Sequence, residues 1–440
     1  MLLLRRRLAS GALPHGLKDL VSGSTWLILA AGLGQGSMLL ANLIVANALG
    51  VADYGRFALL QSTILILAAL AQLGFGAILA QQIASLRARD PAAAGEVAAF
   101  CFLVAALLSL AFAAVLVATR GVAAEGLFRD PALAPGIAIA ALALPFLAAS
   151  AVQQGLFTGL ERFRDLAKVA LGLFPFVVLL PAVGAWQGGF EGALIGLGLA
   201  YVLRAALGQI MLIGRFRALG LAWSLGNPRA KLRLLRDFAV PGTLAGILTL
   251  VAIWGGQTLL VRSGGGADML GLFAAAFTVK TMVMFLPSQM TGALLPILAR
   301  FHADPVAGRG GLLWVNLAAS LAVTALLAGG FILFAGPVMS LFGDGFAGGR
   351  PVLVILLLAA PLEAITMTLY QDIQAKGRFW RSMLCVNLPL AAIVLAGAAW
   401  LVPARQAEGL AIAWLAGWAV ALTGTLFAIG FSRHRQETRT

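Results

Sequence analysis

Charged residues are scarce in this sequence: Asp, Glu, Lys and Arg make up 11% of its 440 residues, whereas 61% are apolar. Soluble domains carry roughly 25% charged residues, so this composition excludes a soluble enzyme. Alternating segments of about ten residues, which are typical of membrane β-strands, are missing as well. What the chain has instead are runs of about 20 apolar residues, the length that a helix needs to cross the hydrocarbon layer of a membrane.

The residue types that build metal sites and catalytic centres are also few. Cys101 and Cys385 are the only cysteines, and both fall inside apolar runs, which indicates small buried side chains and no disulfide framework. The three histidines, His15, His302 and His434, lie in polar segments, and no Ser-His-Asp arrangement or metal-ligand spacing is present. The sequence therefore predicts a protein that is not an enzyme and that uses no metal or cofactor.

The apolar runs predict an all-α integral membrane protein of about twelve transmembrane helices. The predicted spans are Trp26–Ala48, Phe57–Leu79, Val97–Thr119, Gly136–Phe157, Leu166–Trp186, Ala193–Ile213, Ala239–Val261, Leu272–Leu298, Leu312–Ala335, Val352–Tyr370, Met383–Val402 and Leu410–Gly430.

The distribution of basic residues predicts the orientation of these spans. If the N-terminus is cytoplasmic, the inner segments hold 23 of the 31 Lys and Arg residues and the outer loops hold 6. Membrane proteins keep such an excess on the cytoplasmic side, so both termini are predicted to be cytoplasmic. A net charge of +14 would also suit nucleic acid, but these charges lie in short loops beside anionic lipid, and nucleic acid is not expected as a partner.

Sequence landmarks recur at a nearly constant spacing of 214–217 residues. The pairs are Gly55 and Gly271, Asp90 and Asp304, Arg162 and Arg378, Trp186 and Trp400, and Glu191 and Glu408. Their order favours a duplication that produced two six-helix lobes of like orientation, related by a pseudo-twofold axis along the membrane normal. The predicted division is a cytoplasmic segment 1–25, a first lobe 26–213, a basic linker 214–238, a second lobe 239–430 and a cytoplasmic tail 431–440.

Three charged residues lie inside predicted spans, namely Arg204, Lys280 and Glu363. Charge at mid-membrane costs about 3 kcal/mol or more, so such residues are candidates for function. Polar residues at helical spacing lie on the same helix faces as these charges. We expect the charged and polar residues together to line one cavity between the lobes, with a net charge of +1. The accompanying residues are Tyr201, Tyr370, Gln35, Asn42, Gln257, Ser288, Thr291 and Thr366.

Other interpretations of these charges stay open at this point. Glu363 could pair with Lys280 or Arg204 and only stabilise the helices, or it could carry a coupling proton or sodium ion. Arg204 could extend toward the inner membrane interface, since ten residues separate it from Gly214. If the cavity binds a ligand, an anionic group such as a phosphate suits it, because the planar guanidinium of Arg makes bidentate contacts.

Several segments resemble a known family. LGVADYGRFA (Leu49–Ala58) and GLFTGLERF (Gly155–Phe163) are similar to segments of bacterial Wzx-type polysaccharide flippases, members of the multidrug/oligosaccharidyl-lipid/polysaccharide exporter superfamily. Asp268–Ala274, Leu341–Phe346 and Glu408–Trp414 resemble landmarks of that family's second half. These motifs concern topology and packing, so the roles of the three charges rest on the charge argument.

The resemblance implies export of an undecaprenyl-diphosphate-linked oligosaccharide across the bacterial inner membrane by rocking of two lobes. It implies membrane lipid and the lipid-linked sugar as partners, with other polysaccharide-assembly proteins left open. A drug/cation antiporter of the same superfamily is the first alternative, although we expect acidic residues in its first-half cavity and none lies inside the first six spans here. A membrane-bound polysaccharide polymerase or ligase is the second, and the short outer loops disfavour it.

Overall fold

The computed structural model describes residues 15–226, 240–263, 266–303, 309–375 and 379–437. Most of these residues are helical, as expected for apolar segments that must satisfy every backbone hydrogen bond internally. The α-helices are α1 (His15–Gln72), α2 (Phe75–Leu86), α3 (Pro91–Val122), α4 (Leu133–Gly159), α5 (Phe163–Ala218), α6 (Val240–Arg262), α7 (Gly266–Ala303), α8 (Arg309–Leu333), α9 (Ala335–Ser340), α10 (Arg350–Ala375), α11 (Phe379–Ser382) and α12 (Leu388–Glu437), and π-helical turns occupy Ala123–Phe128 and Met383–Asn387.

Three long helices are each two helices joined at a break. An unbroken α1 of 58 residues would be about 87 Å long at 1.5 Å per residue, far more than a membrane requires. It breaks at Gly50, where φ is 72°, a conformation that glycine adopts without steric cost. Likewise, α5 breaks at Gly188 and Gly189, and α12 breaks at Gln406. Each break falls in a predicted connection between spans.

The helices carry the surface expected of a membrane protein. Eight helices in the described ranges are long and apolar enough to cross a membrane, and three of these contain one of the breaks. Large apolar side chains remain exposed on their outer faces, for example Leu171, Trp186 and Ile210. A contiguous surface of this kind is stable against lipid rather than water. The chain is therefore a multi-pass membrane protein.

Close helix packing relies on glycine, and two such contacts recur 217 residues apart. In α5, a Cβ on Gly192 would lie 2.1 Å from the carbonyl oxygen of Gly184. In α12, a Cβ on Gly409 would lie 2.6 Å from the carbonyl oxygen of Leu401. Adding 217 to 184 and 192 gives 401 and 409, so corresponding residues make the same contact.

Another close glycine contact joins α1 to α7, and this one is reciprocal. A Cβ on Gly55 would lie 2.1 Å from the carbonyl oxygen of Ala267, and one on Gly271 would lie 2.0 Å from that of Val51. Adding 216 to 51 and 55 gives 267 and 271, so each half contributes the same two positions, as expected across a twofold axis. These four residues, hereafter the outer contact, lie in connections predicted to be on the outer side of the membrane.

Hydrogen bonds continue this contact inward from the predicted outer end. Ser62 Oγ donates to Gln257 Oε1 at 2.6 Å, and Trp254 Nε1 donates to Thr63 Oγ1 at 2.9 Å. The buried ring of Tyr54 packs against Phe342 and Phe346. The first and second halves of the chain are therefore joined tightly along the outer half of the predicted membrane.

The predicted division of the chain falls partly outside the described residues. Residues 227–238, about half of the basic linker, lie outside them, as do 1–14 and 438–440. Before that gap, α5 continues as helix to Ala218, past the predicted end of the first lobe at residue 213.

Candidate functional site

Two adjoining cavities lie between helices in the predicted inner half of the membrane. The lysine cavity, of about 310 Å³, is lined by Ala31, Gln35, Lys280, Thr281, Met284, Phe285, Pro287, Ser288, Gln289, Thr291, Glu363, Ala364 and Met367. The arginine cavity, of about 360 Å³, is lined by Leu27, Ala30, Ala31, Gly34, Gln35, Ser37, Met38, Leu65, Leu147, Ser150, Gln153, Gln154, Phe157, Leu166, Val169, Ala170, Leu173, Val177, Leu197, Ala200, Tyr201, Arg204 and Gly208.

The lysine cavity contains a buried ion pair. The Lys280 ammonium contacts Glu363 Oε2, and the two side chains are 3% and 10% exposed. Lys280 Nζ also lies 5.3 Å from the ring centroids of both Phe277 and Trp414, within the range of a cation–π interaction. A buried ammonium needs such compensation, and Glu363 and the two rings together provide it for Lys280.

The helices place this pair deep in the membrane. Lys280 lies 14 residues after the start of α7 at Gly266, or about 21 Å along the helix axis. Glu363 lies on α10, two residues after Pro361, and α7 and α10 meet again where the hydroxyl oxygens of Thr291 and Thr368 approach to 3.4 Å. The ion pair is thus held between two helices that also pack through polar contacts.

The arginine cavity has a different charge. Among the described residues that line it, Arg204 is the single ionisable cation and there is no carboxylate. Arg204 lies nine residues before the predicted inner end of its span at Ile213, about 14 Å along the axis, and its side chain lines the cavity. The structure therefore favours a cavity-facing Arg204 over one that extends to the membrane interface.

Polar side chains complete the wall of the arginine cavity. Gln153 Nε2 donates to the backbone oxygen of Ala205 at 2.9 Å and to Gln209 Oε1 at 3.2 Å. These bonds fix α4 against α5 beside Arg204. Tyr201, one turn before Arg204, lines the same wall. A guanidinium, a phenol, three glutamine amides and two serine hydroxyls therefore lie among otherwise apolar lining residues.

The structure divides the predicted site residues among several places. Arg204 and Tyr201 line the arginine cavity, and Lys280, Glu363, Ser288 and Thr291 line the lysine cavity. Gln35 lines both cavities, because α1 forms the wall that they share. The three charges thus occupy two adjoining cavities rather than the single cavity that the sequence predicted.

Four predicted residues line neither cavity. Asn42 and Thr366 donate to the backbone oxygens four residues earlier, which is how polar side chains satisfy themselves within a helix. Gln257 accepts its hydrogen bond from Ser62, and Tyr370 accepts one from Asn387 Nδ2 at 3.0 Å. Helical spacing alone placed these residues on the polar faces, but neighbouring helices cover them.

Sequence reasoning missed Ser150, Gln153 and Gln154, which line the arginine cavity on α4. Three polar residues within five positions of an apolar span were an available signal. It also missed the aromatic rings of Phe277 and Trp414 around Lys280, because Trp414 reaches the site from α12, far away in the sequence.

Comparison with known proteins shows the same relationships in sequence and in fold. The family described as polysaccharide biosynthesis protein matches residues 20–302, more than half of the chain. The EPS I polysaccharide export inner membrane protein EpsE of Ralstonia nicotianae is 26% identical over 378 residues, which cover 84% of each chain.

Solved structures resemble the fold over nearly its whole length. A multidrug resistance MATE family transporter of the MOP superfamily, in an inward-facing conformation, superposes with a TM-score of 0.78 at 17% identity, covering 92% of this chain and 96% of that one. The lipid II flippase MurJ, in an inward closed conformation, gives a TM-score of 0.71 at 12% identity, covering 93% and 87%. The resemblance inferred from the sequence motifs is confirmed: the chain belongs to the polysaccharide biosynthesis protein family and has the fold of MOP superfamily transporters.

Proposed function

We propose that this protein is a flippase that moves an undecaprenyl-diphosphate-linked oligosaccharide from the inner to the outer leaflet of the bacterial inner membrane. The observation that carries the proposal is Arg204, a cation at mid-membrane depth in a cavity whose described lining residues include no carboxylate. Such a site suits an anionic head group, which cannot cross hydrocarbon unaided. Family membership and a relative named as a polysaccharide export inner membrane protein support the same function and location.

The proposed architecture is twelve membrane-spanning helices in two lobes of six, with both termini cytoplasmic. Three of the eight candidate spans contain a break, and counting each of these as two helices gives eleven spans. Helix α6 supplies a twelfth. The recurring glycine contacts and the reciprocal outer contact support two lobes related by a pseudo-twofold axis. The basic linker, residues 214–238, would join them.

The proposed mechanism is alternating access by rocking of the two lobes. The described arrangement is joined along the outer half and has its cavities in the inner half, which suits loading from the cytoplasm. The Arg204 guanidinium would replace water around the diphosphate with bidentate hydrogen bonds. Tyr201 and the glutamine amides would contact the first sugars, while the polyprenyl chain stays in lipid.

The protein needs no cofactor in this scheme, and we propose that an ion gradient supplies the energy. Of the residues that the structure describes, Glu363 is the single carboxylate lining the two cavities, so it is the residue available to carry a proton or sodium ion. Membrane lipid and the lipid-linked sugar are the proposed partners, and other polysaccharide-assembly proteins would receive the product.

A drug/cation antiporter with the same fold is the second candidate function, and the cavity charge argues against it. A cationic drug would meet Arg204 without a compensating carboxylate in the arginine cavity. A polymerase or ligase is disfavoured because the short outer connections offer little room for an acceptor and a donor sugar.

The test is complementation of a strain that lacks the gene. Arg204→Gln should abolish surface polysaccharide and trap lipid-linked repeat units in the inner leaflet, with normal amounts of protein in the membrane. Arg217→Gln, which removes an exposed cation from the same helix, is the matched control and should export normally. Wild-type surface polysaccharide with Arg204→Gln would refute the proposal, and unpolymerised units outside the deletion strain would indicate a polymerase.

A further inference from the structure

We propose that Glu363 is a built-in competitor of the substrate: it neutralises Lys280 in the empty protein, is displaced from Lys280 by the phosphate of the entering head group, and returns to expel it. This inference rests on the proposed function and deepens it. It gives the buried ion pair a role in binding and release.

The first observation is that Lys280 has contacts other than Glu363. Its ammonium lies over the faces of two aromatic rings, Phe277 and Trp414, each at 5.3 Å. Aromatic faces attract a cation whether or not a carboxylate is present. Because Trp414 is only 2% exposed and packs against Phe277 with ring centroids 5.5 Å apart, this clamp does not depend on the ion pair.

The second observation is that the carboxylate is held by one contact. Within the described residues, Lys280 is the single partner of the Glu363 side chain, and no hydroxyl or backbone N–H donates to it. The hydroxyl of Thr366, one turn later, donates to the Leu362 carbonyl oxygen and is not available to Glu363. A carboxylate without further donors is easier to displace than one fixed by a network.

The third observation is that the pair borders open space. Lys280 and Glu363 both line the lysine cavity, which meets the arginine cavity at Ala31 and Gln35. A diphosphate carries more negative charge than one carboxylate, and it would reach Lys280 past Gln35 from Arg204. It would then replace Glu363 beside Lys280, which would keep an anionic partner in a region of low dielectric constant, while the displaced carboxylate would turn into the lysine cavity that it lines.

The exchange also links the two proposed lobes. Arg204 lies on α5 in the first half of the chain and Lys280 on α7 in the second. A head group bound to both would draw the halves together on the inner side. Return of Glu363 to Lys280 would break that bridge, so that the head group leaves when the outer side opens.

The experiment measures binding of farnesyl diphosphate, a short isoprenoid diphosphate, to the purified full-length protein in detergent. Glu363→Gln removes the competitor and should tighten binding about tenfold or more, as expected when a close charge pair is relieved, yet slow export in cells. Lys280→Gln should weaken binding by a similar factor. In the Lys280→Gln/Glu363→Gln double variant, loss of Glu363 should no longer tighten binding.

Other outcomes decide between the alternatives. Should Glu363→Gln fail to accumulate in the membrane, Glu363→Asp, with a shorter reach to Lys280, should tighten binding to a smaller extent. Unchanged or weaker binding in these Glu363 variants, with lower thermal stability, would show that the pair is only structural and would overturn the inference. Arg204→Gln separates the two proposals, because its failure to weaken binding would instead refute the proposed function.

Discussion

At the scale of single residues, the intramembrane charges differ in their surroundings. Lys280 is compensated by a carboxylate and two aromatic rings, whereas no carboxylate in the described part of the chain lines the cavity that Arg204 faces. An uncompensated cation at this depth is costly to the fold and is therefore best explained by a ligand. Arg204 is for this reason the residue on which the proposed function depends most.

The geometry of the guanidinium makes a prediction about Arg204→Lys. Lysine keeps the positive charge but loses the planar pair of donors that matches a phosphate. Loss of one charge-assisted hydrogen bond costs about 1.5–3 kcal/mol, so we expect at least about tenfold weaker binding of farnesyl diphosphate. Isothermal titration of the purified protein measures this, and equal affinities for Lys and Arg would show that charge alone is recognised.

At the scale of elements, helices pack closely because glycine lets backbones meet. Gly192 against Gly184 joins the two halves of α5, and Gly409 against Leu401 joins the two halves of α12. Apolar side chains gain little from leaving lipid for a helix interface, so close van der Waals packing of small residues supplies much of the stability. The duplicated contacts explain why these glycines occupy corresponding positions in the chain.

Gly192→Ala tests that packing. Its Cβ would lie 2.1 Å from the Gly184 carbonyl oxygen, so the two halves of α5 must separate, and overpacking of this kind costs about 1–3 kcal/mol. We expect a lower midpoint of thermal unfolding in detergent. The control is Gly214→Ala in the same helix, where a Cβ meets nothing within 4 Å and alanine should stabilise the helix by up to about 1 kcal/mol. Equal midpoints for the two variants would contradict the packing argument.

At the scale of the whole molecule, the two halves are joined on the outer side by a reciprocal contact. Gly55 and Gly271 each pack on a backbone carbonyl of the other half, and Ser62 and Gln257 hydrogen-bond across the same junction. The close glycine contacts, two side-chain hydrogen bonds and the packing of Tyr54 on Phe342 and Phe346 hold this junction closed. Alternating access, as proposed, requires these contacts to separate.

Locking this junction should stop transport. In a variant with Cys101 and Cys385 replaced by alanine, cysteines at Ser62 and Gln257 should be joined by a short bis-methanethiosulfonate reagent, because the native side chains approach to 2.6 Å. Export of surface polysaccharide should fall to the level of the deletion strain and recover after reduction. The single variant Ser62→Cys, treated identically, should export normally. Full export by the cross-linked protein would exclude opening at this junction.

The amino-acid sequence by itself determined the fold class, the membrane location and nearly all positions of the helices. These follow from local physics: runs of about 20 apolar residues must be helical in lipid, and glycine or polar residues interrupt them. It also identified Arg204, Lys280 and Glu363, since charge in an apolar run is conspicuous.

Only the tertiary structure decided which of these residues meet. It paired Lys280 with Glu363, gave Arg204 a separate cavity, brought Trp414 to the ammonium and placed Asn42 and Tyr370 outside both cavities. Helical spacing shows which residues share a face but not which helix that face meets. Contacts between distant helices depend on packing across the whole bundle, which no local pattern in the sequence records.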